Sequence, residues 1–526
     1  MKLDIKFISD DAYNCIEMIF ASLALYWKKN FELIGAESWG FTYKSSDVSL
    51  EIPFGEKIDC AINYKNDYLE KYHGIQVTFR EANNYIDIVE AIKEKLKDDT
   101  PVCIYIDTYW CPWFVGYYKK IHSAHYCLVT GIDESNNLFC KDALAKDGEW
   151  LSLDHFSKGF KEYIDFRNLE NYTKCYWKEI VRDATLRLKD KHKSLNVFDE
   201  MRLFAKDLRE NLHLSKEVRG YEDRPFQAKI YKKLFNISRG RKVFSKALLY
   251  VSDEYRVSEL KVLADLINKA GNKWSGIFGM LCKSYYIKDN KDLINRIVEK
   301  IKDVADEEEI IADTIIELCM NESFNISYYD IENVMDTSIQ LSEFKYINLS
   351  EYMNNIGFSD GTLDNCKAEI SSEGRFFLIN GLPINNLWMI DNMKFMFPNT
   401  GNNKLDNISC MGQNIKLDIC NYRYVMVLGC AELGNHSEKM LVEFEDGYKE
   451  EIPLEFTSWL SCNRSFNEVV AWEGKGAVRT NTGIKTYPFS VYLYAKGYQL
   501  KNNSKIYNIQ LPLCPNIHVF AITLGR

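Results

Sequence analysis

The feature that most restricts this fold is a double change of hydrophobic pattern along the chain. Up to about residue 185, helical and strand periods are interleaved. From about 186 to 335 the pattern is helical, rich in Lys, Glu, Asp, Leu and Ile and nearly without proline. From about 336 to 526 it becomes short strands with Gly, Asn and Pro between them. One core cannot serve all three patterns, and 526 residues exceed an ordinary single core. The chain is therefore expected to be multidomain α+β: a mixed unit over 1–185, an α-helical domain over 186–335 and a jelly-roll-like β-sandwich over 336–526.

Local patterns refine this outline. Cys15–Trp27 is expected as a buried helix and Tyr85–Lys97 as an amphipathic one, with Ile86, Val89, Ile92 and Leu96 at helical spacing. Short strands are expected over Val48–Ile52, Ile75–Phe79 and Val102–Ile106. The turn residues 133–137 make Tyr126–Ile132 and Leu138–Lys141 an antiparallel hairpin. A helix carrying Leu260, Leu263, Ala264 and Ile267 is expected to start at an N-cap Ser258 and stop at Gly271. Leu293, Ile294, Ile297, Val298 and Ile301 mark another. Tyr424–Ala431, Met440–Phe444, Phe489–Tyr494 and His518–Leu524 are strand-like, and Asp446-Gly447 signals a hairpin turn.

Charge and cysteine usage narrow the function. A net charge of −9 argues against a nucleic-acid partner. No run reaches the roughly 18 apolar residues of a membrane span. The N-terminus lacks the apolar stretch of a signal peptide, so a cytoplasmic location is expected. Fifteen cysteines without C-x-x-C pairs fit reduced thiols rather than a disulfide framework. His122 and His125 form an H-x-x-H without companions at zinc-motif spacing, so no metal is expected.

Among those cysteines Cys15 stands apart. Polar residues precede it and an apolar helix follows, which places the thiol at a helix N-terminus, where free N–H groups and the helix dipole favour thiolate. His125 opens a later strand and Asp142 ends the next one. This order matches a papain-like Cys–His–Asp site, with His125 as base and Asp142 as the group that fixes its tautomer. His122 is the competing base and Asp133 the competing acid, although Asp133 sits in turn chemistry. The backbone N–H of Cys15 and the Asn14 amide are the candidate oxyanion donors. The aromatic stretch from Asp107 to His122, with Tyr109, Trp110 and Trp113, fits either a packed loop or a wall of an acyl channel.

These residues carry a resemblance. Cys15, Gly35 with Glu37, the stretch Asp107-Thr108-Tyr109-Trp110-Cys111-Pro112-Trp113, His122 to His125, Gly131-Ile132-Asp133 and Asp142 together resemble the butirosin acyltransferase family. That family is a branch of the C39-like, papain-fold cysteine proteases and includes closthioamide-type amide synthetases. The chain departs from it at Ala143, where Pro is usual, and from C39 peptidases in lacking the oxyanion Gln. The resemblance implies a papain-like C39-type fold. It also implies transfer of an acyl group from a carrier-protein phosphopantetheine thioester, through a cysteine, to a small-molecule amine. The partner would be an acyl or peptidyl carrier protein, and no further cofactor is implied. It marks Glu37, Asp107, Tyr109, Trp110, Trp113 and His122 as substrate-binding candidates. The third segment resembles the β-sandwich appended to some bacterial glycosidases, through 347–355, 395–398, 422–431 and 509–524. Two other functions stay open: a C39-like cysteine peptidase, and a non-catalytic carbohydrate-binding or interaction protein. A homo-oligomer is also open.

Overall fold

The computed structural model describes residues 2–45, 52–114, 116–190, 194–222, 224–320, 341–362, 366–401, 403–480 and 483–526. The strand expected over Val48–Ile52 falls almost wholly outside the described residues.

The N-terminal region is built on a six-stranded sheet. Its strands are β1 (Ile75–Glu81), β2 (Val102–Asp107), β3 (Ala124–Ile132), β4 (Leu138–Lys141), β5 (Glu149–Leu151) and β6 (Glu162–Asn168), in the order β1-β6-β2-β3-β4-β5, every pair antiparallel. Helix α1 (Cys15–Trp27) packs against β3, and α2 (Tyr85–Lys97) lies against β2 and β3. The apolar spacing of both helices buries Ile19, Phe20, Leu23, Ile88 and Ile92 against Ile104, Leu128 and Ile164. The 133–137 turn closes the β3–β4 hairpin as its residues predict: Asp133 accepts from the backbone and side chain of Asn137.

The middle region is a layer of helices: α3 (Trp177–Leu186), α4 (Val197–Asn211), α5 (Lys229–Tyr255), α6 (Ser258–Ser284) and α7 (Lys291–Met320). Two local expectations are corrected here. Ser258 is the first helical residue of α6 rather than its cap, and its hydroxyl turns to Glu259. Gly271 does not end the helix. It lies in mid-helix against α5, where a Cβ would stand 2.9 Å from Lys242 Cγ and 3.1 Å from the Ser238 carbonyl oxygen. Close approach of two backbones, not a left-handed stop, requires glycine there.

The C-terminal region is a β-sandwich. One sheet of eight strands is centred on Val469–Thr480, Gly483–Gln499, Tyr424–Ala431 and Leu513–Gly525; the facing four-stranded sheet holds Asn414–Cys420, Ile506–Gln510, His436–Phe444 and Lys449–Phe456. Asp446-Gly447 makes the expected hairpin turn, with Gly447 at φ 84°.

These regions are not beads on a string. Leu33, Trp39, Phe41 and Phe54, early in the chain, belong to the same apolar core as α4–α7, and that core runs on into the sandwich. The seam with the sandwich is close: a Cβ on Gly279 of α6 would stand 2.6 Å from the Leu433 carbonyl oxygen. Arg296 and Lys300 of α7 bind the buried Glu438 at 2.8 and 2.5 Å. No helix among the described residues is long and apolar enough to cross a membrane.

Candidate active site

Helix α1 begins at Cys15 because Asn14 and Glu17 cap it reciprocally. The Asn14 side-chain oxygen accepts from the Glu17 N–H at 2.9 Å, and Glu17 accepts from the Asn14 N–H at 2.6 Å. The Cys15 amide, at the first helical position, has no intrahelical acceptor and stays available. The thiol is half-buried.

Across from it stands His125, buried on β3 beside Ile106 of β2. Its Nε2 meets Asp142 Oδ2 at 2.9 Å, which leaves Nδ1 outside that bond. Burial alone would lower the His125 pKa. The hydrogen bonds and charges of Asp142 and Cys15 overcome it and raise the value to about 9. Burial alone would likewise raise the Asp142 pKa, yet His125, the Trp113 indole and the Leu144 amide hold it below the usual carboxylate value. Asp142 is fully committed: Oδ2 accepts from His125, from Trp113 Nε1 at 2.5 Å and from the Cys127 thiol at 3.6 Å. Oδ1 accepts from the Leu144 and Ala145 amides. Phe114 covers the imidazole, ring centroids 4.4 Å apart.

The remaining sequence candidates divide. His122 does not turn toward Cys15. It is exposed, bound to Asp107 Oδ2 at 2.6 Å and stacked on Tyr109 at 4.4 Å. Asp107 also accepts from the Tyr109 and Ser123 amides, so the Asp107–His122 pair pins the ends of the aromatic loop. Trp110 lies under the Lys119 ammonium, 3.4 Å from its ring centroid. Trp113 is tied to the candidate site by its indole N–H, which donates to Asp142. Glu37 is bound to Lys65 at 2.9 Å and Asn63 at 2.6 Å, and no contact joins it to Cys15 among the described residues. Cys111, Cys127 and Asp142 bring three ligand-capable atoms within 4.8 Å of one another. Asp142 is already saturated, and burial pushes the Cys127 thiol well up, so the group is poorly suited to a cation.

Two residues that sequence reading passed over hold the site from behind. Glu17, nearly fully buried, receives Arg239 Nη1 of α5 at 2.7 Å. The Asn-x-x-Glu spacing of a capping box was there to be read; the arginine, 222 positions away, carried no such signal. Burial pushes the Glu17 pKa up and Arg239 opposes it. Removing one partner of a buried pair costs ~3–5 kcal/mol. Arg239→Ala is therefore expected to lower the thermal midpoint and slow iodoacetamide labelling of Cys15. Labelling at the wild-type rate would show that the pair does not hold the helix start.

The chain thus joins an α/β region holding a cysteine at a helix start, a buried histidine and an aspartate to a layer of helices and a β-sandwich. Residues 18–142 match the family model described as Butirosin biosynthesis protein H, N-terminal, and residues 346–526 match that of the AziU2-like beta-sandwich domain. The resemblance to the butirosin family is thus upheld over the stretch that contains His125 and closes on Asp142, with Cys15 three residues before it. No curated protein matches the chain.

Proposed function

We propose that this chain is a cysteine-dependent acyltransferase of natural-product biosynthesis that forms amide bonds. It takes its acyl group from a phosphopantetheine thioester on a carrier protein and delivers it to a small amine. In this reading residues 1–185 are a papain-like, C39-type catalytic domain, 186–335 a helical domain and 336–526 the sandwich. The observation that supports it is the buried Asp142–His125 pair, whose imidazole is held in its charged form by Asp142 together with Cys15.

The chemistry follows from this geometry. Cys15 passes its proton to His125, and the sulfur attacks the thioester carbonyl. The oxyanion meets the Cys15 N–H and the Asn14 side-chain NH₂, whose oxygen alone is used by the cap. The C–S bond to pantetheine breaks, and His125 returns its proton to the departing sulfur. The amine then attacks the acyl-cysteine, His125 takes the ammonium proton, the new C–N bond forms and the Cys15 sulfur leaves. Asp142 holds the ring in one tautomer throughout. Phe114 over the imidazole limits water at the base, which favours the amine as acceptor.

Intact-protein mass spectrometry with an acyl-pantetheine thioester tests this. Wild type is expected to gain one acyl mass and lose it to an added amine as amide; Cys15→Ala is expected to gain none. An unmodified wild type, or complete hydrolysis at saturating amine, would refute the proposal.

A further inference from the structure

Three donors share one oxygen of the candidate site. Asp142 Oδ2 accepts from Trp113 Nε1 at 2.5 Å, from His125 Nε2 at 2.9 Å and from the Cys127 thiol at 3.6 Å. The indole contact is the shortest of the three. The other oxygen, Oδ1, is held by the backbone: it accepts from the Leu144 and Ala145 amides at 2.8 and 2.9 Å. The carboxylate is therefore anchored without Trp113. What the indole N–H does is draw on the same oxygen, and the same negative charge, that holds the imidazole.

A turn gives Trp113 this place. In Cys111-Pro112-Trp113-Phe114 the Phe114 N–H donates to the Cys111 carbonyl at 3.1 Å, with proline at the second position, where its fixed φ suits a turn. Two consecutive side chains thereby reach the pair. Trp113 takes Asp142, and Phe114 lies over His125 with ring centroids 4.4 Å apart. Farther along the same loop, the Tyr117 hydroxyl accepts from Gln227 Nε2 at 3.3 Å, and the Tyr118 hydroxyl meets His155 Nε2 at 3.2 Å. The loop that covers the base is thus also the loop that bonds its carboxylate partner.

Resting on the acyl-transfer reading, we infer that Trp113 is a positioning residue of the acid–base pair: by sharing Asp142 Oδ2 with His125, it moderates the hold of the carboxylate on the imidazolium, so that the ring can give its proton to the departing thiol. The direction of the effect follows from the anchoring. Burial would raise the Asp142 pKa, and Trp113, after His125, is among the groups that keep it down. Without the indole N–H, a carboxylate still fixed through Oδ1 bonds His125 more strongly, and the imidazolium becomes a weaker acid. The other titratable groups beside the pair are the thiols of Cys15, Cys111, Cys127 and Cys140. Burial pushes the Cys127 and Cys140 thiols well up, so neither titrates with His125.

Trp113→Phe in the full-length protein keeps a ring and removes the N–H. Its ¹³Cε1-labelled His125 is expected to titrate about 0.5 pH higher than in wild type. The alkaline limb of the acyl-transfer profile is expected to move with it. At neutral pH, kcat with an acyl-pantetheine thioester is expected to fall about three- to tenfold, with KM within about twofold of wild type. A tryptophan that merely supports the loop would, on removal, loosen Asp142 and move the titration down. That result, or an unmoved titration, would overturn the inference. A second measurement needs no variant. The Trp113 indole proton of ¹⁵N-labelled wild type is expected to shift along with the His125 titration, because both groups bond one oxygen; an indole proton that stays constant through it overturns the inference as well. Neither titration needs turnover. If no thioester acylates wild type, the acyl-transfer reading fails, and the two titrations still decide whether Trp113 governs the pair.

Discussion

Asp142→Ala is expected to lower kcat/KM by about 10²–10⁴-fold and to move the alkaline limb of the pH profile. The loss is large because Asp142 does two things. It holds the ring through Nε2, and together with Cys15 it raises the His125 pKa to about 9 against the drag of burial. On the acyl-transfer reading, with Asp142 present the imidazolium that would protonate the leaving thiol persists at neutral pH, and activity is expected to fall as pH rises through about 9. Without it, burial dominates, and the limb is expected to shift to lower pH. The linkage to stability has the same sign. A folded pKa above the unfolded 6.5 makes the pair's contribution complete below pH 6.5 and lost as pH climbs through about 9. The Asp142 side has the opposite sign: its lowered pKa contributes above the unfolded carboxylate value and is lost in acid. The ¹³Cε1 shift of labelled His125 reads the titration directly. A titration still near pH 9 in Asp142→Ala, with less than a tenfold loss of rate, would show that Asp142 is not the partner that matters.

A second large effect lies far from the sulfur. Glu308 of α7 is fully buried and binds Arg241 of α5 through both oxygens at 2.9 Å. The same carboxylate accepts from Trp39 Nε1 at 2.7 Å and Trp274 Nε1 at 2.9 Å. Four segments therefore meet on two oxygen atoms. Glu308→Ala would leave a buried guanidinium and two indole N–H groups unpaired, at an expected cost of ~3–5 kcal/mol. The double change Arg241→Met with Glu308→Met removes both charges and is expected to recover part of this, but not all, because the indoles stay unpaired. The midpoint of urea unfolding, followed by tryptophan fluorescence, measures both. A single variant within about 1 kcal/mol of wild type would mean that water or repacking replaces the carboxylate.

Cys15, His125 and Asp142 are legible in the sequence because each is set by a local pattern: a helix start, a strand start and a hairpin end. Other parts of the site are set by a partner far along the chain or by how the aromatic loop folds. Nothing in the run around Asn14 announces Arg239, and nothing in the aromatic loop tells that Trp113 faces Asp142 while His122 turns to Asp107. Most helix and strand positions follow from period and turn chemistry for the same local reason, and the misreading at Gly271 shows the limit. A glycine demanded by a neighbouring helix looks, in one dimension, like a glycine that ends its own.

The sharing of one core between the early segment Leu33–Phe54 and α4–α7 also bears on how the chain is made. Synthesis delivers Cys15 to solvent long before Arg239, Arg241 and Glu308 have left the ribosome. Until they do, Trp39 has no acceptor and Glu17 no cation, so the helix that bears the thiol lacks its support. More than half of the polypeptide must be complete before the Cys15 thiol is presented in its finished surroundings. A nascent or truncated chain therefore carries Cys15 on a helix start that still lacks its distant supports.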